Sequence, residues 1–172
     1  VALDADTGHL RWHYQFTPHD LNDWDSNHMP VLAEVNWQGR LRQVVMVGNR
    51  NGFFYVLDRV TGELLLGEPF TATSWARELD ADGRPIVLNY GSQGCVPDPW
   101  GSTNFMPPTF VPEKDLFILT ARETCATYVP EKPTDAPGQS NFGGTVLIDA
   151  EQGRGALRAL DIHTGNLEIG RA

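Results

Sequence analysis

Ala2-Leu3-Asp4-Ala5-Asp6-Thr7-Gly8 returns twice along the chain, as Val56-Leu57-Asp58-Arg59-Val60-Thr61-Gly62 and as Ala159-Leu160-Asp161-Ile162-His163-Thr164-Gly165. Each copy reads as the apolar end of a strand, then Asp, two linking residues, Thr and Gly. An Asp carboxylate accepts hydrogen bonds from the backbone N–H groups of a tight turn, and Gly takes the positive φ that such a turn needs. The repeat therefore predicts three strand ends that lead into the same kind of turn.

The spacing of the three copies indicates a repeated unit. Asp4 and Asp58 are 54 residues apart, and Asp58 and Asp161 are 103 residues apart. A unit of about fifty residues made of short strands has the size of a propeller blade. Because the second separation is nearly twice the first, we expect one intervening unit that has lost the repeat. We also expect the large apolar residue eight positions after each Asp to pack on a neighbouring unit: Trp12, Leu66 and Ile169.

The remaining pattern agrees with short strands. Stretches rich in β-branched and aromatic residues, bounded by Gly, Asn or Pro, predict strands at Gln43–Val47, Phe53–Leu57, Leu116–Thr120, Thr145–Ile148 and Ala156–Leu160. Residues 71–99 and 129–142 are predicted to be long loops. A closed propeller needs at least four blades, and this chain supplies about three. We therefore predict an all-β partial β-propeller, with residues 1–172 as part of a single propeller domain truncated at both ends.

Composition limits the possible functions. The chain is 41% hydrophobic and 20% charged, which is typical of a soluble globular protein, and no apolar run reaches membrane-spanning length. Its net charge of −9 and its lack of a basic cluster argue against nucleic acid as a partner.

The segment Thr17-Pro18-His19-Asp20-Leu21-Asn22-Asp23-Trp24-Asp25 holds three carboxylates. In an extended segment Asp23 and Asp25 face one side and Trp24 faces the other. Two carboxylates on one side suit a hard cation bound by oxygen, with a neighbouring carboxylate free to act as a base. The alternative is a solvated Asp-rich turn that Asp20 caps.

Several segments resemble motifs of one protein family, and they occur along the chain in the same order as in that family. They are Trp12–Asp20, Asp23-Trp24-Asp25, Asn49–Arg59, Gly101-Ser102-Thr103-Asn104-Phe105-Met106-Pro107-Pro108 and the run at 155–161. Together they resemble the pyrroloquinoline quinone (PQQ) dependent alcohol dehydrogenases, the methanol and ethanol dehydrogenase quinoproteins. The resemblance implies an eight-bladed propeller, of which this chain would be about three blades.

The resemblance also implies roles for the two carboxylates Asp23 and Asp25. Asp23 matches the family's catalytic aspartate, the general base that takes the proton of the substrate hydroxyl while a hydride passes to PQQ. Asp23 and Asp25 are the expected metal ligands here, for Ca²⁺ or a lanthanide ion that acts as a Lewis acid. Asp25 matches a position where lanthanide-type methanol dehydrogenases carry an extra carboxylate, although a solvated Asp is the alternative. The family has Trp where this chain has Asn22, which weakens an assignment to methanol.

Two further residues match cofactor contacts. Arg50 matches the basic residue that reaches the quinone oxygens, and a planar guanidinium suits an anionic, oxygen-rich cofactor. Asn49-Arg50-Asn51-Gly52 is also a strong signal for a type I′ hairpin turn, and such a turn can present a functional Arg. Asn104 matches a PQQ-contacting asparagine, with a plain loop residue as the alternative. Trp24, Trp75 and Trp100 offer flat surfaces, but none is assigned to the cofactor.

The chain has two cysteines, Cys95 and Cys125. They match a family disulfide, which implies an oxidising compartment such as the periplasm. Two buried thiols are the alternative, whereas a zinc site is poorly supported because no second Cys or His lies at ligand spacing. His13, His19 and His28 are interpreted as structural residues.

The resulting hypothesis is a fragment of a periplasmic, PQQ-dependent dehydrogenase that oxidises a small alcohol to an aldehyde or ketone and passes electrons to a cytochrome c. A quinoprotein acting on sugars or polyols is one alternative. A non-catalytic propeller scaffold of the cell envelope is the other, although a scaffold has no reason to keep Asp23, Arg50 and Asn104 together. The family's other metal ligands cannot be located in the sequence, so we expect the fragment alone to be inactive and prone to aggregate.

Overall fold

The computed structural model describes residues 1–88, 96–131 and 144–171. Throughout these ranges the regular structure is β, apart from one 3₁₀ turn at Pro112–Lys114. The strands are β1 (Ala2–Leu3), β2 (Leu10–Trp12), β3 (Val31–Trp37), β4 (Arg40–Gly48), β5 (Phe53–Asp58), β6 (Leu64–Pro69), β7 (Ala76–Leu79), β8 (Pro85–Val87), β9 (Val96–Pro97), β10 (Thr109–Val111), β11 (Leu116–Pro130), β12 (Gly144–Asp161) and β13 (Leu167–Arg171). No helix in these ranges is long and apolar enough to cross a membrane.

Strands β3 to β6 form a four-stranded antiparallel meander in chain order. Its strand β5 is buried along its whole length, which explains why its sequence is almost continuously apolar rather than alternating. Strands β1 and β2 form a two-stranded hairpin before this sheet. The predicted strands at 43–47 and 53–57 are confirmed within β4 and β5.

Strands β10 to β13 form the second sheet, and β9 pairs with the far half of β11. Strands β11 and β12 are long, at 15 and 18 residues. The strands predicted at 116–120, 145–148 and 156–160 are confirmed within β11 and β12, although the last two belong to one continuous strand rather than to two. Gly153 and Gly155 lie between the two predicted strands, but β12 pairs with β11 on both sides of them. The pairing changes register once, between Glu123 and Cys125.

The three predicted turns are confirmed. Oδ1 of Asp4, Asp58 and Asp161 accepts hydrogen bonds of 2.8–3.0 Å from the backbone N–H of Thr7, Thr61 and Thr164 in turn. In each copy the Gly N–H donates to the Asp carbonyl at 2.8 Å. The φ angles of Gly8, Gly62 and Gly165 are +71°, +79° and +72°. The repeat is therefore one conserved turn geometry within this chain.

Neighbouring units pack through these turns. The indole of Trp12 lies so close to Gly62 that an added β-carbon there would be 2.8 Å from the ring, and Trp12 Nε1 donates to the Arg59 carbonyl. Leu66 and Glu68 lie against Gly165 in the same way. Two of the three predicted apolar contacts between units are thus present. The third residue of the set, Ile169, is exposed.

The prediction of an intervening unit is wrong. The second and third copies of the turn are in direct contact, because Leu66 and Glu68 of one unit meet Gly165 of the next. The additional residues between the copies include the far halves of β11 and β12. They also include the β7–β8 hairpin and β9, which lie within the predicted loop 71–99, whereas most of the predicted loop 129–142 lies outside the described residues. The longer spacing therefore reflects one enlarged blade.

Of the three apolar clusters in the described part of the chain, two hold the sheets together. The first lies between the β3–β6 sheet and the β10–β13 sheet, where Phe54 stacks on Phe117 with ring centroids 4.8 Å apart. The second contains Trp24, Trp75 and Phe53 and lies beneath the acidic segment. The second cluster is the floor on which the candidate site is built.

Candidate functional site

Trp24 anchors the acidic segment. Its side chain is 2% exposed, packs against Trp75 at 5.4 Å, and donates from Nε1 to the carbonyls of Pro97 and Asp98 at 3.2 Å. The carboxylate of Asp20 accepts hydrogen bonds of 2.8 Å from the N–H groups of Asn22 and Trp24. Asp20 therefore caps the turn, which is the structural role considered for it.

Asp23 and Asp25 lie on the solvent side of the segment, opposite Trp24. This sidedness agrees with the prediction from spacing, although the segment is not a regular strand, since Asp23 has a φ of +61°. Positive φ is uncommon for residues other than Gly and is tolerated best by Asn and Asp. The turn thus presents two neighbouring carboxylates toward solvent.

Arg50 lies in the turn between β4 and β5 and is 8% exposed. Its Nη1 is 3.9 Å from Oδ2 of Asp25, and its Nη2 donates to the carbonyl of Pro99. The Nε–H is buried and has no hydrogen-bond partner among the described residues. A nearly buried guanidinium with a donor to spare fits a site that takes an anionic or carbonyl-bearing ligand.

The turn that carries Arg50 is not of type I′. Neither Arg50 nor Asn51 has a positive φ, and Gly52 alone in this turn does, at +93°. The side chains of Asn49 and Asn51 accept hydrogen bonds from the N–H groups of Asn51 and Phe53, which shapes the turn instead. The turn still presents Arg50, as expected.

Asn104 joins the same group of loops. Its Oδ1 accepts a hydrogen bond of 2.8 Å from Nδ2 of Asn27, two residues after Asp25. Its Nδ2 donates to the Trp100 carbonyl at 2.8 Å. The loop is linked to the Arg50 turn as well, because Ser102 N donates to the Arg50 carbonyl at 2.9 Å. The structure therefore brings Asp25, Arg50 and Asn104 into one connected cluster.

An open cavity of about 270 Å³ lies beside Asn104. Its walls are mostly apolar, and Trp100 and Phe105 are 64% and 72% exposed. The lining residues are Trp100, Gly101, Thr103, Asn104, Phe105, Met106 and Arg122. Flat aromatic walls with an amide and a guanidinium suit a planar, polar-edged ligand. Trp24 and Trp75, by contrast, are core residues.

No group of three or more His, Cys, Asp or Glu side chains suited to a metal ion occurs in the described parts of the chain. Asp23 and Asp25 therefore supply at most part of a ligand set. Both are carboxylates, the ligand type that Ca²⁺ and similar hard cations prefer, so the residues present fit such an ion only with further oxygen ligands.

The sequence is similar to one family of known proteins. Residues 1–69 match the β-propeller domain of the glucose/ethanol/alcohol dehydrogenase (PQQ) family model. The chain is 35% identical over 152 residues to the quinohemoprotein alcohol dehydrogenase of Comamonas testosteroni, covering 83% of this chain and 22% of the relative. It is 35% identical over 164 residues to the lanthanide-dependent methanol dehydrogenase of Methylorubrum extorquens, covering 86% and 27%.

Structural comparison gives the same family. A europium-containing methanol dehydrogenase superposes with a TM-score of 0.88 at 29% identity, covering 98% of this chain and 32% of that chain. The chain belongs to the PQQ-dependent alcohol dehydrogenase family. It spans about a quarter of the length of the two curated family members, and the open sheets described above are part of the PQQ-type propeller.

The described residues do not test the predicted disulfide. Cys95 lies outside the described residues, so its disulfide with Cys125 stays a prediction; Cys125 is in β11, opposite Pro97 of β9. Sequence reasoning missed Asn49, Asn51 and Ser26, which connect the acidic segment to Arg50. The signal available for them was the pair of amides that flank Arg50.

Proposed function

We propose that the chain is part of a PQQ-dependent dehydrogenase that oxidises a small alcohol to an aldehyde or ketone. The observation that carries the proposal is the connection of three loops around Arg50. Arg50 Nη1 lies 3.9 Å from Asp25 Oδ2, and Asn27, two residues after Asp25, donates to Asn104 Oδ1 at 2.8 Å. Residues 25, 50 and 104 are far apart in sequence, and a scaffold has no need to bring them together.

Each side chain has a role that follows from its chemistry. Arg50 and Asn104 would contact the cofactor, the first through a guanidinium and the second through an amide that can donate and accept. Asp23, an exposed residue two positions before Asp25, would accept the hydroxyl proton of the alcohol as general base. PQQ, when bound, supplies the quinone that takes up the hydride from the alcohol carbon. The alcohol thus loses one proton and one hydride.

Asp23 and Asp25 would also contribute oxygen ligands to a Ca²⁺ or lanthanide ion. The Asp25 carboxylate is 80% exposed, so it can turn toward an ion without breaking a buried contact. An additional carboxylate favours a trivalent over a divalent ion. One relative is named a lanthanide-dependent methanol dehydrogenase, which supports a lanthanide without excluding Ca²⁺.

The same proposal includes a periplasmic location, a Cys95–Cys125 disulfide and a cytochrome c as electron acceptor. The name quinohemoprotein of one relative supports a haem partner or domain. The family description also mentions glucose dehydrogenase, so a sugar or polyol is the second candidate substrate class.

The test uses the full-length protein reconstituted with PQQ and either Ca²⁺ or La³⁺, with dye-linked oxidation of alcohols and of glucose as the readout. We expect Asp23→Asn to lower kcat by about 10²- to 10⁴-fold, the usual contribution of a general base. Asp25→Ala should abolish activity with La³⁺. Asp6→Asn removes an exposed carboxylate in the β1–β2 turn and should have no effect.

Two outcomes would contradict parts of the proposal. Activity with Ca²⁺ that survives Asp25→Ala would keep the enzyme and discard the lanthanide site. Failure of the wild-type protein to bind PQQ or oxidise any substrate with either ion would favour the scaffold.

A further inference from the structure

Arg50 lies between two asparagines, Asn49 and Asn51, whose side chains are both fully buried. A buried amide costs free energy unless its donors and acceptors are paired. The Oδ1 atom of each accepts one backbone hydrogen bond within the turn. Their Nδ2 groups reach residues at the two ends of the acidic segment, and Asn51 Nδ2 also reaches Tyr55 Oη.

Asn49 holds the end of that segment. Its Nδ2 donates to Oγ of Ser26 at 2.7 Å, and its Oδ1 accepts from Asn51 N at 3.1 Å. Ser26 directly follows Asp25. The bond therefore ties the residue beside the proposed metal ligand to the residue beside Arg50.

Asn51 holds the beginning of the segment. Its Nδ2 lies within hydrogen-bond distance of Thr17 Oγ1 at 3.1 Å, of the Phe16 carbonyl at 3.2 Å and of Tyr55 Oη at 3.0 Å. Its own carbonyl accepts a hydrogen bond of 2.7 Å from Trp75 Nε1, which fixes the residue against the core. Asn51 thus secures residues 16 and 17 to the Arg50 turn.

The segment between these two attachments is held in an uncommon conformation. His19 and Asp23 have φ angles of +50° and +61°. Non-Gly residues in this region cost on the order of 1–3 kcal/mol each and persist only when the surrounding structure fixes them. The two asparagines supply such fixation at both ends.

We propose that Asn49 and Asn51 are positioning residues that hold residues 17–26 against the Arg50 turn and thereby set the distance between Arg50 and the two carboxylates. This inference rests on the proposed function for its catalytic consequence. Its structural part concerns this chain alone.

The test replaces the hydrogen-bond partners of the two asparagines, Ser26 and Thr17, because replacing a fully buried Asn can prevent folding. Ser26→Ala removes the acceptor of Asn49, and Thr17→Val removes one acceptor of Asn51 while keeping its shape. Ser26→Thr and Thr17→Ser restore the hydroxyls. Thr145→Ala is the control, because it removes a hydroxyl that donates to Glu131 at 2.6 Å in the far half of β12.

The first measurement is hydrogen exchange, by mass spectrometry, of the full-length protein without PQQ. We expect Ser26→Ala to speed amide exchange in residues 19–25 by about three- to tenfold, the size expected for one lost hydrogen bond. The effect of Thr17→Val should be smaller, since the Phe16 carbonyl still accepts from Asn51. Exchange in β5 should stay at the wild-type rate.

The second measurement is kcat and KM of the PQQ-loaded enzyme. We expect kcat to fall by about tenfold in Ser26→Ala, since small displacements of reacting groups are costly, with the thermal midpoint unchanged and recovery in Ser26→Thr. Unchanged exchange in Ser26→Ala would overturn the inference, and so would unchanged kcat in an active enzyme. Faster exchange combined with an inactive wild-type protein would retain the attachment and reject the proposed function.

Discussion

Gly101 and Arg50 are in contact at the level of the backbone. A β-carbon added at Gly101 would lie 2.4 Å from Cβ and 2.7 Å from Cα of Arg50, and Gly101 has a φ of +75°. Ser102, next in the chain, donates its N–H to the Arg50 carbonyl. The Asn104 loop therefore rests directly on the Arg50 turn, and any residue larger than Gly at 101 must push them apart.

Gly101→Ala should weaken PQQ binding by at least about tenfold, because the methyl group would meet Arg50 inside van der Waals contact distance and must push Arg50 away. Because Ala is strained at this positive φ, the substitution should also lower the free energy of unfolding by about 1–3 kcal/mol. Gly39→Ala is the matched control, with a φ of +79° and no atom within 4 Å of the added carbon. PQQ titration followed by fluorescence should show weaker binding in Gly101→Ala alone. Equal binding by the two variants would contradict a cofactor role for Arg50.

Gly62→Ala should destabilise the packing between blades. The added carbon would lie 2.8 Å from the Trp12 indole at a φ of +79°, so both strain and overpacking contribute. We expect a larger loss of unfolding free energy than in Gly39→Ala, by about 1–3 kcal/mol, measured by urea unfolding. Trp12→Leu in the same background should recover part of that difference. Equal losses in Gly62→Ala and Gly39→Ala would show that the Trp12 contact is unimportant.

Stability should decrease below pH 6.5 because of His28. Burial lowers the pKa of His28 below its ordinary value of 6.5, and the backbone of Met106 and of Gly48 opposes this only in part. The folded protein holds the neutral ring, whereas the unfolded chain binds a proton as the pH falls below 6.5. The stabilisation is therefore complete above pH 6.5 and is lost as the pH falls toward the folded pKa.

We expect wild-type protein to lose more unfolding free energy than His28→Gln between pH 7.5 and 5.5, measured by urea titrations at both pH values. His13→Gln, at an exposed histidine, is the control and should keep the wild-type dependence. A wild-type dependence in His28→Gln as well would assign the effect to other groups.

The predicted disulfide can be tested directly. Cys125 pairs in the sheet with Pro97, two residues after Cys95. Non-reducing peptide mapping should recover the two cysteines in one linked peptide. Cys125→Ser should lower the free energy of unfolding by roughly 3–4 kcal/mol in the chain-entropy model. Two titratable thiols in denatured, unreduced protein would contradict the prediction.

The turns were predictable because every interacting group lies within the quoted stretch. Asp4 and Gly8 are four residues apart, and their hydrogen bonds depend on local geometry alone. The single strand β12 was not predictable, because its continuity depends on pairing with β11, which begins about thirty residues earlier. The long spacing between the second and third copies was likewise ambiguous between a lost unit and an enlarged one.

For the candidate site, the family resemblance identified a set of residues but not the hydrogen bonds that hold them in place. The hydrogen bond between Asn27 and Asn104 joins residues 77 positions apart, and that between Asn49 and Ser26 joins residues 23 apart. Local patterns cannot show such pairs. Asn49 and Asn51 in particular read as turn residues, which they are, and this reading concealed their bonds to the acidic segment.

The contact between Trp12 and the Gly62 turn is repeated by Leu66 and the Gly165 turn. In both contacts, a bulky side chain of one unit packs against the turn glycine of the next unit along the chain. A tandem duplication of one unit would create an interface of a kind that already exists, without new complementary surfaces. A propeller built this way can gain a blade by gene duplication and then enlarge that blade by insertion, as between β6 and β10, leaving the joint unchanged.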